Sequence, residues 1–220
     1  MDESPAVIRV FLVDDHEVVR TSLAQLIDSQ DDMAVVGESG SAAGTAAQVL
    51  RVAPRVALLD ISLGDGSGLD VCRAITTEND AIACLMLTSV VDDRALVEAE
   101  GAGAAGFRVK SVKSAELLDA IRSVAAGKRL IDPAEIRMAQ RRLQAEADGA
   151  VDSLTSQERV IFDLIGKGLS NRQIGDEMFL AEKTVKNYVS NVLAKLGATR
   201  RTEVAAMAAR LAEREAQWRT

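Results

Sequence analysis

Five short apolar runs recur through the first 127 residues: Val7 to Val13, Met33 to Gly37, Val56 to Leu59, Ile82 to Leu87 and Ala105 to Val109. Each is too short for a helix and apolar on both faces. Between them lie amphipathic stretches of helical period, near 16–29, 41–52, 68–77, 92–101 and 114–126. A strand buried on both faces needs cover above and below, so this alternation predicts a parallel five-stranded sheet wrapped by helices, a doubly wound α/β domain. In such a sheet, ligands bind beyond the carboxyl ends of the strands, where loops and helix N-termini converge.

The pattern stops after residue 127. Residues 131–147 read as a polar helix with little apolar stripe, and DGAVDS (148–153) reads as a short, turn-rich linker. From Leu154 onward no strand signal remains. Four helices fit instead: 156–167, ended by Gly168; 171–178, opened by Ser170 as N-cap; 182–196, ended by Gly197; and 201–216. The expected organisation is an α/β domain over 1–127, a linker with a helix over 128–152 and a small all-α domain over 153–220.

Hydrophobic residues make up 48% of the chain, enough for real cores. No apolar run approaches the roughly 18 to 20 residues that a membrane span requires. The N-terminus (MDESPAVIRV) lacks a basic region followed by a long apolar segment, so no export signal is read and a cytoplasmic protein is expected. Cys72 and Cys84 sit in apolar patterns that fit buried free thiols in a reducing compartment. The net charge of −7 argues against nucleic acid when taken over the whole chain. Its distribution qualifies that: residues 151–220 hold 11 basic and 9 acidic residues, while 1–150 hold 15 and 24. Any DNA contact must come from the C-terminal part.

The carboxyl ends of the strands carry the first chemical signal. Strand one ends at Asp14-Asp15, strand three at Asp60, strand four at Thr88 and strand five at Lys110. A parallel sheet brings these points to one edge, so three carboxylates, a hydroxyl and an ammonium face a common pocket. Bunched acids repel and raise one another's pKa unless a cation sits among them. Mg²⁺ answers this, because it takes oxygen ligands and often shares a phosphoryl group. Asp60 is then a nucleophile toward phosphorus, Thr88 a hydrogen-bond donor to phosphoryl oxygens and Lys110 a point cation. Each residue alone has a plainer reading, Asp15 as a helix N-cap above all; their conjunction at separate strand ends favours the site. His16, the only histidine, reads as a solvated first-turn residue, with a phosphate-accepting or metal role as the alternative.

The second signal is LSNRQIGDEMFLAEKTVKNYVSNVLAKLG (169–197). Ile174 and Met178 mark the inner stripe of one short helix, MFLAE a tight turn, and Val185, Val189, Val192, Leu193 and Leu196 the inner stripe of the next. Lys183, Lys186, Asn187 and Ser190 fall at i, i+3, i+4 and i+7 on the opposite face, with Thr184 beside them. This is a helix-turn-helix pattern, whose second helix enters the major groove. Lysine suits guanine or phosphate and asparagine suits adenine. Thr199, Arg200 and Arg201 suit phosphate contacts, which position rather than specify. On charge pattern alone, an ordinary solvated face is an equal reading of Lys183 and Lys186. Val204, Met207, Ala208 and Leu211 offer an apolar strip for a dimer, shared in an unknown proportion with the domain's own core.

Residues 7–127 resemble the response-regulator receiver domain of two-component signalling, a flavodoxin-like fold, through VDD (13–15), LLD (58–60), LTS (87–89) and FRVK (107–110). The resemblance implies that Asp60 accepts a phosphoryl group from a sensor histidine kinase. It also implies that Asp14, Asp15, Asp60 and the backbone carbonyl of Ser62 hold Mg²⁺, that Thr88 moves onto the phosphoryl group, and that Phe107 is the aromatic that turns inward in response. Gly64 stands where receivers usually carry proline, which predicts a more mobile loop, and Arg108 where a small or apolar residue is commoner. Residues 154–203 look like the four-helix LuxR-type DNA-binding domain, making the chain similar to NarL/FixJ response regulators and, through MFLAEKTVKNYV, to their DosR/DevR branch. This implies base reading by the helix of Lys183, Lys186 and Asn187, and a homodimer on inverted half-sites, with RNA polymerase a further candidate partner. Gly175 replaces the usual alanine, a weakening of that helix by up to about 1 kcal/mol.

The expected function is thus a transcription regulator switched by phosphorylation, accepting one phosphoryl group rather than turning over. Two rivals stand beside it. An aspartyl-phosphate enzyme needs an acid-base group near Asp60, for which SLGDGSG offers only Asp65. A regulator independent of phosphorylation would use the receiver as a scaffold.

Overall fold

The computed structural model describes residues 7–90 and 92–217, with side chains to residue 213; the reading of residues 1–6 for an export signal lies outside them. Two compact units divide between Arg142 and Leu143. The first runs β1 (Ile8–Val13), α1 (Glu17–Asp28), β2 (Met33–Ser39), α2 (Thr45–Val52), β3 (Val56–Asp60), β4 (Ser62–Leu63), β5 (Gly66–Ser67), α3 (Gly68–Glu78), β6 (Ala83–Thr88), α4 (Asp93–Gly101), β7 (Gly106–Val109) and α5 (Ser114–Ala125). Five strands form one parallel sheet in the order β2-β1-β3-β6-β7.

Alternation along each strand sends side chains to two cores. Phe11, Val13, Ala57, Leu59, Cys84 and Met86 join α2, α3 and α4 on one face. Val10, Leu12, Leu58, Leu85 and Leu87 join α1 and α5 on the other. Every residue of β3 is buried, as the centre of a doubly covered sheet requires. Cys72 and Cys84 are buried free thiols.

Three local expectations change. The 41–52 helix starts only at Thr45, because Ser41, Ala42 and Ala43 donate to the Asp65 carboxylate and bend that segment away from helical geometry. The loop after Asp60 is correspondingly fastened: β4 and β5 form a small antiparallel pair, and Asp65 grips the segment before α2. Finally, DGAVDS is not a turn-rich linker. A single helix, α6 (Pro133–Asp152), runs through it. Gln144 donates to Asp148 one turn on, and Val151 is buried, so side-chain pairing and burial outweigh the propensity cost of Gly149. The helix is also less polar in effect than it reads, since Ile136 and Ala139 are buried in the core of the first unit.

The second unit contains α7 (Ser156–Gly166), α8 (Asn171–Met178), α9 (Glu182–Lys195) and α10 (Arg201–Gln217). Capping boxes open α7, through Thr155 and Glu158, and α8, through Ser170 and Gln173. Ile161, Phe162, Ile165, Ile174, Val185, Val189 and Val192 build the core. Gly175 has a packing reason: a Cβ there would stand 2.6 Å from the Leu180 carbonyl oxygen, so the α8–α9 turn closes onto bare backbone. The strip considered for a dimer is turned inward. Val204 and Ala208 are buried, and Met207 and Leu211 pack against the same core.

Candidate functional site

The strand ends bring the predicted groups together at one sheet edge. Asp14 follows β1 and is 2% exposed; Asp60 ends β3 and is 4% exposed. Lys110 follows β7, and its backbone N–H donates to the Thr88 carbonyl, which fixes where the side chain starts. From there Nζ reaches 2.8 Å to Asp60 Oδ2, as a hydrogen bond, and 2.7 Å to Asp14 Oδ2. One lysine thus answers two buried carboxylates, which is how the fold tolerates the acid pair in the first instance. Burial pushes the Asp60 carboxyl up; the Lys110 hydrogen bond opposes this, and the neighbouring Asp14 charge adds to it. Burial also works against the Lys110 ammonium, but its hydrogen bonds and charge pairing with Asp14 and Asp60 prevail and hold it above the ordinary lysine range.

Lys110 does not satisfy the whole cluster. Asp14 Oδ2 and Asp15 Oδ1 are buried oxygens held by ion pairs alone, the first with Lys110 Nζ at 2.7 Å and the second with the exposed imidazole of His16. Ligand atoms of Asp14, Asp15, His16 and Asp60 all lie within 4.8 Å of one another. Three closely spaced carboxylates with one lysine among them fit a hard, oxygen-seeking divalent cation. The plainer account of Asp15 as an N-cap fails: His16 holds that position in α1 and makes no side-chain cap, while its backbone N–H donates to Asp14 Oδ1. His16 is largely exposed, as read, yet its Nδ1 stands 2.8 Å from Asp15 Oδ1.

The remaining expected residues surround this centre. Ser62 donates its backbone N–H to Asp60 Oδ1. Thr88, at the end of β6, is buried; its hydroxyl donates to the Val90 carbonyl and accepts from the Val90 N–H, so it is held by its own loop. Phe107 is 8% exposed and already turned into the core. Two positioning groups escaped the sequence reading. Arg20 donates to the Asp14 carbonyl and pairs with Glu38. Gly68 opens α3 so close to β3 that a Cβ would fall 1.8 Å from the Asp60 carbonyl oxygen, and its N–H donates to Ile61. Only the helical spacing after SLGDGSG hinted at it. Asp65, the one acid-base candidate for an enzyme, is committed elsewhere: hydrogen bonds from the Ser41 hydroxyl and the Ala42 and Ala43 amides hold its pKa at about 2.

On the second unit, Lys183, Lys186, Asn187 and Ser190 are exposed along α9, and Thr184 is half-buried. Arg200 is exposed. Arg201 is not available as read: its guanidinium donates to the Leu169 carbonyl and to Asn171 Oδ1, tying α10 to the start of α8. Thr199 likewise donates to Glu203 through its hydroxyl and its N–H. Glu158, 5% exposed, receives Lys195 Nζ at 2.7 Å and the Thr155 cap, which together hold its carboxyl at about 2. That pairing across 37 positions left no sequence signal.

Among the described residues no helix is long and apolar enough to cross a membrane. Residues 10–122 match the response regulator receiver domain, and residues 152–208 match the bacterial regulatory proteins of the luxR family. The chain is 48% identical to the DNA-binding transcriptional activator DevR/DosR of Mycobacterium tuberculosis, over 93% of this chain and 95% of that protein. It is 34% identical to the transcriptional regulatory protein LiaR of Bacillus subtilis, over 92% and 97%. The crystal structure of the response regulator ChrA, from a heme-sensing two-component system, superposes with a TM-score of 0.55 at 30% identity, over 94% of this chain and 98% of that one. With a buried acid cluster at the edge of a five-stranded parallel sheet, a helix-turn-helix unit following it in sequence and these matches along nearly the whole chain, the chain belongs to the transcriptional response regulators that join a receiver domain to a LuxR-type DNA-binding domain.

Proposed function

We propose that Asp60 is the phosphoacceptor, and that its phosphorylation by a sensor histidine kinase controls DNA binding by α9. The observation that carries this is the buried Asp60 carboxylate, hydrogen-bonded to Lys110 and clustered with the carboxylates of Asp14 and Asp15. An Asp60 oxygen bonds to phosphorus as the donor's phosphorus–nitrogen bond breaks. Asp14, Asp15, Asp60 and the Ser62 carbonyl would hold Mg²⁺, which when bound supplies neutralisation of the phosphoryl charge. Lys110, already at Asp60, follows the phosphoryl group as its cation. Thr88 leaves Val90 to donate to a phosphoryl oxygen, and Phe107, on the neighbouring strand β7, reports that shift to the core. With Asp65 locked as a carboxylate, Asp60 holds its phosphoryl group stoichiometrically, and self-dephosphorylation is slow.

Residues 1–127 act as the receiver, 128–152 as the connection and 153–220 as the DNA-binding domain of a cytoplasmic regulator. Lys183, Thr184, Lys186, Asn187 and Ser190 enter the major groove, Arg200 meets phosphate, and Arg201 positions the helices that do so. A homodimer on inverted half-sites matches twofold symmetry in the operator. The test is selection of bound genomic fragments with and without acetyl phosphate, followed by affinity measurement on one selected fragment. The donor should tighten binding by the wild-type chain and leave Asp60→Asn unchanged. Equal binding by both, with and without donor, contradicts the proposal and favours a scaffold receiver.

A further inference from the structure

Local rules are broken three times at the end of α8; the left-handed turn itself closes the helix, with the Phe179 and Leu180 N–H groups donating to the Gly175 carbonyl, but nothing in it calls for a phenylalanine. Phe179 caps α8 with φ at 56°, the left-handed region, where a non-glycine residue is strained by roughly 1 to 2 kcal/mol. The same domain places glycine in that conformation after α7 and α9, at Gly168 and Gly197. The Phe179 side chain is 94% exposed, more than any other large apolar side chain among the described residues, so it contributes no burial. Asp176 and Glu177, both exposed, occupy the last turn of α8, where the helix dipole disfavours acids. Neither has an ion-pair partner among the described residues. Exposed Glu182 follows three positions after Phe179.

Violations concentrated at one spot, without compensating packing, mark a surface kept for function. Charge selects the partner. A polyanion such as DNA is repelled by Asp176, Glu177 and Glu182, and the cationic strip of Lys183 and Lys186 already serves it. What suits an aromatic ring among unpaired carboxylates is a protein with an apolar recess rimmed by lysine or arginine. Resting on the reading of the chain as a DNA-bound transcription regulator, we propose that Phe179, with Asp176, Glu177 and Glu182, is the contact surface for RNA polymerase on the same DNA.

The experiment uses the full chain, treated with acetyl phosphate, on a selected operator placed beside a promoter, with purified bacterial RNA polymerase holoenzyme as the probe. Mobility shifts read DNA binding and polymerase recruitment separately for wild type, Phe179→Ala, Phe179→Gly and the double variant Asp176→Asn/Glu177→Gln. DNA affinity should stay within about twofold of wild type, while recruitment falls roughly tenfold or more. The thermal midpoint of Phe179→Gly should equal or exceed that of wild type, because glycine relieves the left-handed strain. Recruitment by the variants equal to wild type overturns the proposal, as does absence of recruitment by wild type. A loss of DNA affinity of about tenfold in Phe179→Ala also overturns it, since the ring then faces DNA. Failure of the wild-type chain to bind DNA at all overturns the function proposed above and this inference with it, whereas failure of recruitment on intact DNA binding overturns this inference alone.

Discussion

The acid cluster of the first unit and the outer strip of α9 in the second handle charge in opposite ways. At the sheet edge Asp14 and Asp60 are nearly inaccessible and share one lysine, so their charge pairing is coupled to packing. On the outer strip of α9, Lys183, Lys186 and Asn187 stand in solvent, and their removal leaves no buried charge behind. The difference teaches that chemistry and recognition are stored differently. Burial ties the acid cluster to the packing around it, whereas an exposed strip is separable from the fold that presents it.

Lys110→Ala sharpens this most. It strands two buried carboxylates, and removing one partner of such a pair costs about 3 kcal/mol. Denaturant unfolding of the full chain should show that loss confined to the receiver transition, with DNA binding in the absence of donor unaffected. A loss below about 1 kcal/mol would break the claim that the cluster is coupled to the fold.

Lys186→Ala examines the other half. DNA affinity should fall roughly tenfold with no change in melting temperature. A fall in stability instead would place Lys186 among the packing residues.

Gly175→Ala separates propensity from packing inside the second unit. Helix propensity alone predicts a gain of up to about 1 kcal/mol. The 2.6 Å approach of the Leu180 carbonyl predicts the reverse, a loss of about 1 to 2 kcal/mol by the overpacking rule, read by thermal melting.

The smallest effect concerns Glu158, whose folded pKa of about 2 lies below the ordinary glutamate value of 4.5. A lowered carboxylate stabilises the fold above its unfolded pKa, and that contribution fades as pH falls from about 4.5 toward 2. Glu158→Gln should melt lower than wild type at neutral pH and lose less stability across that acid window. Parallel pH profiles of the two proteins would contradict the Lys195 pairing.

What could be read beforehand follows from where the information lies. Runs such as Val56 to Leu59 are apolar on both faces, so strand, parallel sheet and cover were legible, and the sheet then dictated that Asp14, Asp60 and Lys110 converge. A periodicity of 3.6 likewise separated Val185 and Val189 from Lys183 and Lys186. Long-range pairings were not legible. That Lys110 reaches both acids, that Asp65 grips residues 41–43, and that Arg201 turns to Leu169 depend on the third dimension, because each of these groups also satisfies the rules for a solvated charge. The continuity of α6 through DGAVDS was hidden for a related reason: burial of Val151 decides it, and turn propensity speaks against it.

The central claim is that a cluster built by three strand ends makes Asp60 the acceptor, and intact-mass measurement after incubation with acetyl phosphate tests it most directly. Wild type should gain one phosphoryl group per chain in the presence of Mg²⁺ and none after chelation, while Asp60→Asn gains none in either condition. Equal labelling of Asp60→Asn, or labelling of wild type that is indifferent to chelation, would contradict it.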